Sequence, residues 1–148
     1  TFFLSKIKKS VIIWFFFFIL WYNIYRKEVY MLKEKNIVVS ILLSLVTCGI
    51  YGLYWWCTIT DDVDNISENP TKRNGVVVIL LSLVTCGIYS FYYWYQNGKL
   101  MEEANQRKGV NGSSNSILYL ILSIFGLSIV NYILVQSDIN KYAVQQSN

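Results

Sequence analysis

The stretch ILLSLVTCGIY, Ile41–Tyr51, recurs letter for letter as Ile79–Tyr89. Each copy sits in a charge-free apolar run, the first bracketed by Lys35 and Asp61, the second by Arg73 and Lys99. A third such run lies between Lys108 and Asp138. About 20 apolar residues in an α-helix cross the hydrocarbon core of a bilayer at roughly 1.5 Å per residue. All three runs are long enough, and none alternates with the period of a half-buried soluble helix. The reading is an all-α integral membrane bundle of three transmembrane helices over about 36–60, 76–97 and 116–137, with one structural unit used twice.

Composition agrees. The 148 residues are 54% hydrophobic, 17% aromatic and only 15% charged, which is outside the range of ordinary soluble domains. The net charge of +4 suggests an anionic partner until it is located. Residues 1–30 hold Lys6, Lys8, Lys9, Arg26 and Lys27 against Glu28, while from Met31 onward eight basic residues balance eight acidic ones. No basic stripe follows a phosphate backbone, so no nucleic-acid partner is expected.

The first thirty residues read differently. A basic start precedes the apolar block Val11–Tyr22, but Trp21-Tyr22-Asn23-Ile24-Tyr25 is not the small-residue site of a cleaved signal peptide. Arg26-Lys27-Glu28-Val29-Tyr30-Met31 back-translates to a purine-rich ribosome-binding sequence just before a start codon. Residues 1–30 are therefore expected to be a translated leader, with a fourth membrane helix as the alternative. With three spans, Lys33, Lys35, Lys99, Arg107 and Lys108 share one side against Lys72, Arg73 and Lys141 on the other. That asymmetry places the first connector outside and the second in the cytoplasm, and the expected location is the bacterial cytoplasmic membrane, multi-pass.

The repeat continues past its identical core. Tyr51-Gly52-Leu53-Tyr54-Trp55-Trp56 corresponds to Tyr89-Ser90-Phe91-Tyr92-Tyr93-Trp94, and Leu122-Ser123-Ile124-Phe125-Gly126 looks like a decayed third copy. Ser137-Asp138-Ile139-Asn140 echoes the aspartate-bearing end Thr60-Asp61-Asp62-Val63-Asp64. This doubled TCGIY pattern from Asn36 to Tyr142 resembles the small bacterial membrane proteins grouped as domain of unknown function 4234. The resemblance implies a compact helical membrane protein and assigns no activity.

Two readings of the repeated residues compete. Ser40, Ser44, Cys48 and Gly52 fall four apart, as do Ser82, Cys86 and Ser90, so each continuous helix would carry a ridge of small side chains for close packing. Leucine at Cys48 or Gly52 would then break the packing. Asn131, polar within the third run, would pair across helices. Alternatively, Thr47-Cys48-Gly49 and Thr85-Cys86-Gly87 lie at matching depth in antiparallel spans, as an inverted repeat around a midplane transport site. Trp55, Trp56, Tyr93 and Trp94 are expected to anchor the helices at headgroup level, in opposite leaflets.

Other chemistry is poorly supported. The chain has no histidine, no carboxylate within any run and no phosphate loop, so an enzyme is not expected. Three cysteines without a CxxC make a poor metal or redox site, and neither cofactor nor metal is expected. The leading reading is a small non-enzymatic membrane protein that acts through helix packing, with the lipid bilayer and a second copy or another membrane protein as partners. The alternative is a small oligomeric transporter or channel at the Thr-Cys-Gly breaks.

Overall fold

A computed structural model describes residues 2–25 and 32–147, leaving out the side chains of residues 7, 15 and 21–25. The chain divides into two compact units, Thr1–Met31 and Leu32–Asn148. Among its described residues the first is a single helix, α1 (Phe2–Tyr25). The proposed start at Met31 and the ribosome-site residues Arg26–Tyr30 lie outside the described residues. The second unit is all-α: α2 (Ile37–Val46), α3 (Ile50–Ile66), α4 (Gly75–Val84), α5 (Ile88–Lys108), α6 (Ser116–Ile124) and α7 (Ser128–Ser147).

Each expected span is thus two helices, which corrects the reading of continuous helices over 36–60, 76–97 and 116–137. Among the described residues, no helix is long and apolar enough to cross a membrane. The cause is local. Three asparagines start the short helices: Asn36 accepts the Val38 and Val39 N–H groups, Asn74 accepts Val76, and Asn115 accepts Ile117 and Leu118. These side chains satisfy donors that have no partner in a first helical turn. About ten residues later a left-handed residue ends each helix. Cys48 (φ +52°) and Cys86 (φ +51°) do so in the first two copies, and Gly126 (φ +75°) in the third.

The hydrogen bonds identify the same C-terminal motif three times. Gly49 N–H donates to the Ser44 carbonyl at 2.7 Å and Cys48 N–H to Leu45 at 3.2 Å. Gly87 to Ser82 and Cys86 to Leu83 repeat both distances, and Leu127 to Leu122 (2.8 Å) with Gly126 to Ser123 (3.1 Å) completes the set. These six-to-one and five-to-two bonds form a Schellman motif, which stops a helix and turns the chain. The second helix then folds back on the first, so α2–α3, α4–α5 and α6–α7 are helical hairpins.

All three hairpins start and finish at one end of the unit. The Lys35 backbone N–H donates to Asn140 near the end of α7, and its ammonium pairs with Asp62 of α3 at 3.3 Å. Arg107 and Lys108 donate to the carbonyls of Ser67 and Ile66, where α3 ends. Tyr142 of α7 donates to Asn105 of α5 at 2.8 Å. The copies therefore run in the same sense. This overturns the inverted repeat: a chain that returns within each copy never changes sides between copies.

Packing between hairpins relies on two glycines. A Cβ on Gly75 would lie 2.6 Å from Cys57 Cα, and one on Gly98 would lie 2.6 Å from Ser116 Cα and 2.7 Å from the Asn115 carbonyl oxygen. Gly98→Ala is expected to destabilise the unit by about 1–3 kcal/mol through backbone displacement, read as a lower denaturation midpoint in detergent. An unchanged midpoint would mean that α5 and α6 are not in such close contact. The core holds Trp55, Ile59, Val63, Tyr93, Trp94, Met101, Tyr119, Val135 and Ile139, so the long helices α3, α5 and α7 supply most of it.

Candidate functional site

At the first two turns a threonine joins the two helices, whereas the third has Phe125 at that position. Thr47 Oγ1 donates to the Leu43 carbonyl at 2.7 Å and accepts the Tyr51 N–H at 2.9 Å. Thr85 does the same with Leu81 (2.7 Å) and Tyr89 (3.0 Å). One hydroxyl thus ties the last turn of the outgoing helix to the first turn of the returning one. Gly49 and Gly87, both at φ +91°, occupy a conformation that side chains rarely adopt.

Cys48 and Cys86 are exposed on these turns, whereas Cys57 is buried. The expected small-residue ridge is consequently split. Ser40 and Ser44 lie on α2, Cys48 on the turn and Gly52 on α3, where a Cβ would meet Ser44 Oγ at 3.6 Å. Ser44, Ser82 and Ser90 spend their hydroxyls on nearby carbonyls: Ser40 at 2.8 Å, Val78 at 2.8 Å and Gly87 at 2.6 Å. The structure places each Thr-Cys-Gly on its own hairpin turn. Both thiols are exposed on left-handed residues of the turns and not on a continuous helix face.

This gives a specific expectation. Left-handed backbone is unfavourable for a residue with a Cβ, and the third copy already has glycine at the equivalent position, Gly126. Cys48→Gly and Cys86→Gly are each expected to stabilise the fold by up to about 1 kcal/mol, measured by thermal denaturation. A loss of stability would show that the thiols contribute contacts in the folded protein.

Apolar side chains surround the turns. Val46 is 80% exposed, Val84 81% and Phe125 74%, with Leu45, Ile50, Leu83, Ile88, Ile124 and Leu127 exposed beside them. The outer faces of the short helices continue this surface through Val38, Val39, Leu42, Val77, Leu80, Leu81, Ile117, Leu118 and Ile121. Soluble monomers rarely expose so large a contiguous apolar surface, and such surfaces mark contact with a membrane or a partner.

The opposite end is polar and closed by buried carboxylates. Asp64, 1% exposed, accepts the Arg73 guanidinium at 2.6 and 2.9 Å, the Arg73 backbone N–H at 2.5 Å and the Asn69 amide at 3.1 Å. Asp138, fully buried, accepts Ser113 N–H (3.0 Å), Ser114 N–H (2.9 Å), Ser114 Oγ (2.6 Å), Asn105 Nδ2 (3.2 Å) and Lys141 Nζ (3.1 Å). Each carboxylate pins one connector to the helix ends. Sequence reading misses both roles, because acidic residues at a helix end look solvated. Arg73, nine positions after Asp64 across Pro70, is the available signal.

Burial pushes the Asp138 carboxyl up, but the hydrogen bonds from Ser114, Ser113 and Lys141 outweigh it and hold it below the ordinary aspartate value of 3.8. A folded value below the unfolded one gives stabilisation that is complete above pH 3.8 and is lost as pH falls through the folded value. Melting temperature is expected to drop in that acid window. Asp138→Asn should be less stable at neutral pH and show a flatter acid limb, and parallel limbs would remove Asp138 from the account.

The expected interfacial anchors are part of the core instead. Trp55, Tyr93 and Trp94 are each 1% exposed, and Trp56 is half-buried. Trp94 lies 5.0 Å from the Tyr132 ring and 6.1 Å from Tyr119, Trp56 lies 5.4 Å from Tyr93, and Trp55 donates to Gln136 Oε1 at 2.8 Å. The break explains the correction. Counted from a turn at Gly49 or Gly87, these rings fall mid-helix against neighbouring hairpins, not at the end of a long helix. Asn131 of α7 donates to the Tyr119 carbonyl at 2.9 Å and to Ser123 Oγ at 2.8 Å, joining α7 to α6.

No match was found among curated proteins or among solved structures. The family described as Domain of unknown function (DUF4234) matches residues 35–77, which hold the first hairpin and its connector, and residues 73–141, which hold the other two. With the repeat, the three turns and most of the second unit inside the match, the chain belongs to the DUF4234 family.

Proposed function

We propose that this is a small non-enzymatic membrane protein whose three hairpins dip into one leaflet, and which acts through helix packing against lipid and a membrane-bound partner. The carrying observation is the polarity of the unit: three uncharged apolar turns at one end, and the connectors with their ion pairs at the other. Depth supports it. A ten-residue helix such as α2 rises about 15 Å, half of a hydrocarbon core about 30 Å thick. Each chain reversal is satisfied by its own Schellman hydrogen bonds, and the first two by a threonine hydroxyl as well, as apolar surroundings require.

This arrangement also sharpens the charge asymmetry. With all connectors on one side, Lys33, Lys35, Lys72, Arg73, Lys99, Arg107, Lys108 and Lys141 face the same compartment. The positive-inside rule then favours the cytoplasmic leaflet. The experiment is single-cysteine labelling in a background without Cys48, Cys57 and Cys86. Thr71→Cys and Asn111→Cys, one on each connector, should both react with a membrane-impermeant maleimide from the same side of sealed vesicles. Reaction from opposite sides would mean that the second hairpin opens into a crossing helix and that the one-leaflet proposal is wrong.

A further inference from the structure

The one-leaflet reading has a mechanical corollary: we infer that the protein expands a single leaflet, and so prefers convex bilayers and generates them when crowded. The inference rests on the proposed insertion and on three observations. Six helical segments reach the apolar end. At a diameter of 10–12 Å each, they occupy on the order of 500 Å² of that leaflet, and the described residues of the second unit add no matching area to the other.

The inserted body is stiff. Gly75 lies against Cys57, Gly98 against Ser116, and the buried Trp55–Gln136 hydrogen bond joins the first hairpin to the third. The hairpins cannot splay to relieve the added area, so the lipid must adjust. The polar end adds bulk at headgroup level: the connectors 67–74 and 109–115, and the last turns of α5 and α7 beyond Asn105 and Asp138. Added bulk at the headgroups above the inserted turns favours convex curvature. A helix crossing both leaflets would add area to each and leave no such bias.

The test uses the full chain and phosphatidylcholine vesicles of about 30, 100 and 400 nm diameter at equal accessible lipid area. Bound protein per unit of lipid is expected to rise at least about threefold from the largest to the smallest vesicles. At high protein density the largest should form tubules or small vesicles under electron microscopy. Equal binding at all sizes with unchanged vesicle shape would overturn the inference and leave membrane insertion intact. Absence of binding at every size would overturn both.

Discussion

Val46→Asp combined with Val84→Asp is expected to release the protein from phosphatidylcholine vesicles almost completely while leaving its fold intact. Both valines lie at hairpin turns and are about four-fifths exposed, so neither contributes much to internal packing. A charged side chain at hydrocarbon depth costs about 2.5–3.5 kcal/mol on insertion scales, and two charges on separate hairpins cost roughly twice that. The partition coefficient should therefore fall by at least about a thousandfold. Flotation on a density gradient reads binding, and circular dichroism reads the fold. Undiminished flotation of the double variant, made from Met31 onward so that α1 does not hold it to lipid, would mean that the turns do not enter lipid. Phe125→Asp extends the same logic to the third hairpin, whose turn has a different sequence.

The second large effect is expected at the polar end. Arg73→Ala should destabilise the unit by about 3–5 kcal/mol, because it leaves the Asp64 carboxylate buried with most of its charge compensation removed. The Arg73 guanidinium also sits 5.3 Å from the Tyr93 ring, whose hydroxyl lies 2.7 Å from Thr60 Oγ1, so the loss reaches the aromatic core. Denaturation in detergent measures the effect. Removing the charge as well, in Asp64→Asn with Arg73→Met, should recover part of the loss, because an unpaired buried charge is worse than a neutral pair. If Arg73→Ala melts as the wild type does, Asp64 is solvated and the connector is not held by this pair.

The helices were legible in the sequence, but the return of the chain was not. Charge-free runs and their bracketing residues located the apolar stretches that hold α2–α7, but not the polar ends by which α3, α5 and α7 run on to Ile66, Lys108 and Ser147. The repeated core showed that residues 41–51 and 79–89 are copies. What misled was length. A run of more than 20 apolar residues satisfies the criterion for a spanning helix whether or not it bends midway, because hydropathy carries no direction. The direction was carried by Thr47-Cys48-Gly49, a helix-stop signal. It reads as mild because the left-handed residue in the first two copies is cysteine, not glycine. Gly126, decayed as its surroundings are, states the stop more openly than either exact copy.

An error in the position of the turn carries over to every residue C-terminal to it. Trp55, Trp56, Tyr93 and Trp94 have the composition of an interfacial belt, and only their distance from Gly49 or Gly87 makes them interior. Asp64 and Asp138 were hidden for another reason. Their partners, Arg73 and Ser113-Ser114, lie on connectors whose path depends on where the helices end.

A unit that leaves and re-enters on the same face can be copied without regard to parity. In a protein built of crossing segments, adding one copy inverts everything downstream, so duplication proceeds comfortably only in pairs. Here the third hairpin, α6–α7, comes after two that share an identical eleven-residue core and still delivers its end beside Lys35 and Asn105. Tandem gain or loss of a single module would leave the orientation of every other module unchanged. On the one-leaflet proposal, chains with different numbers of such modules keep the same face toward the same compartment.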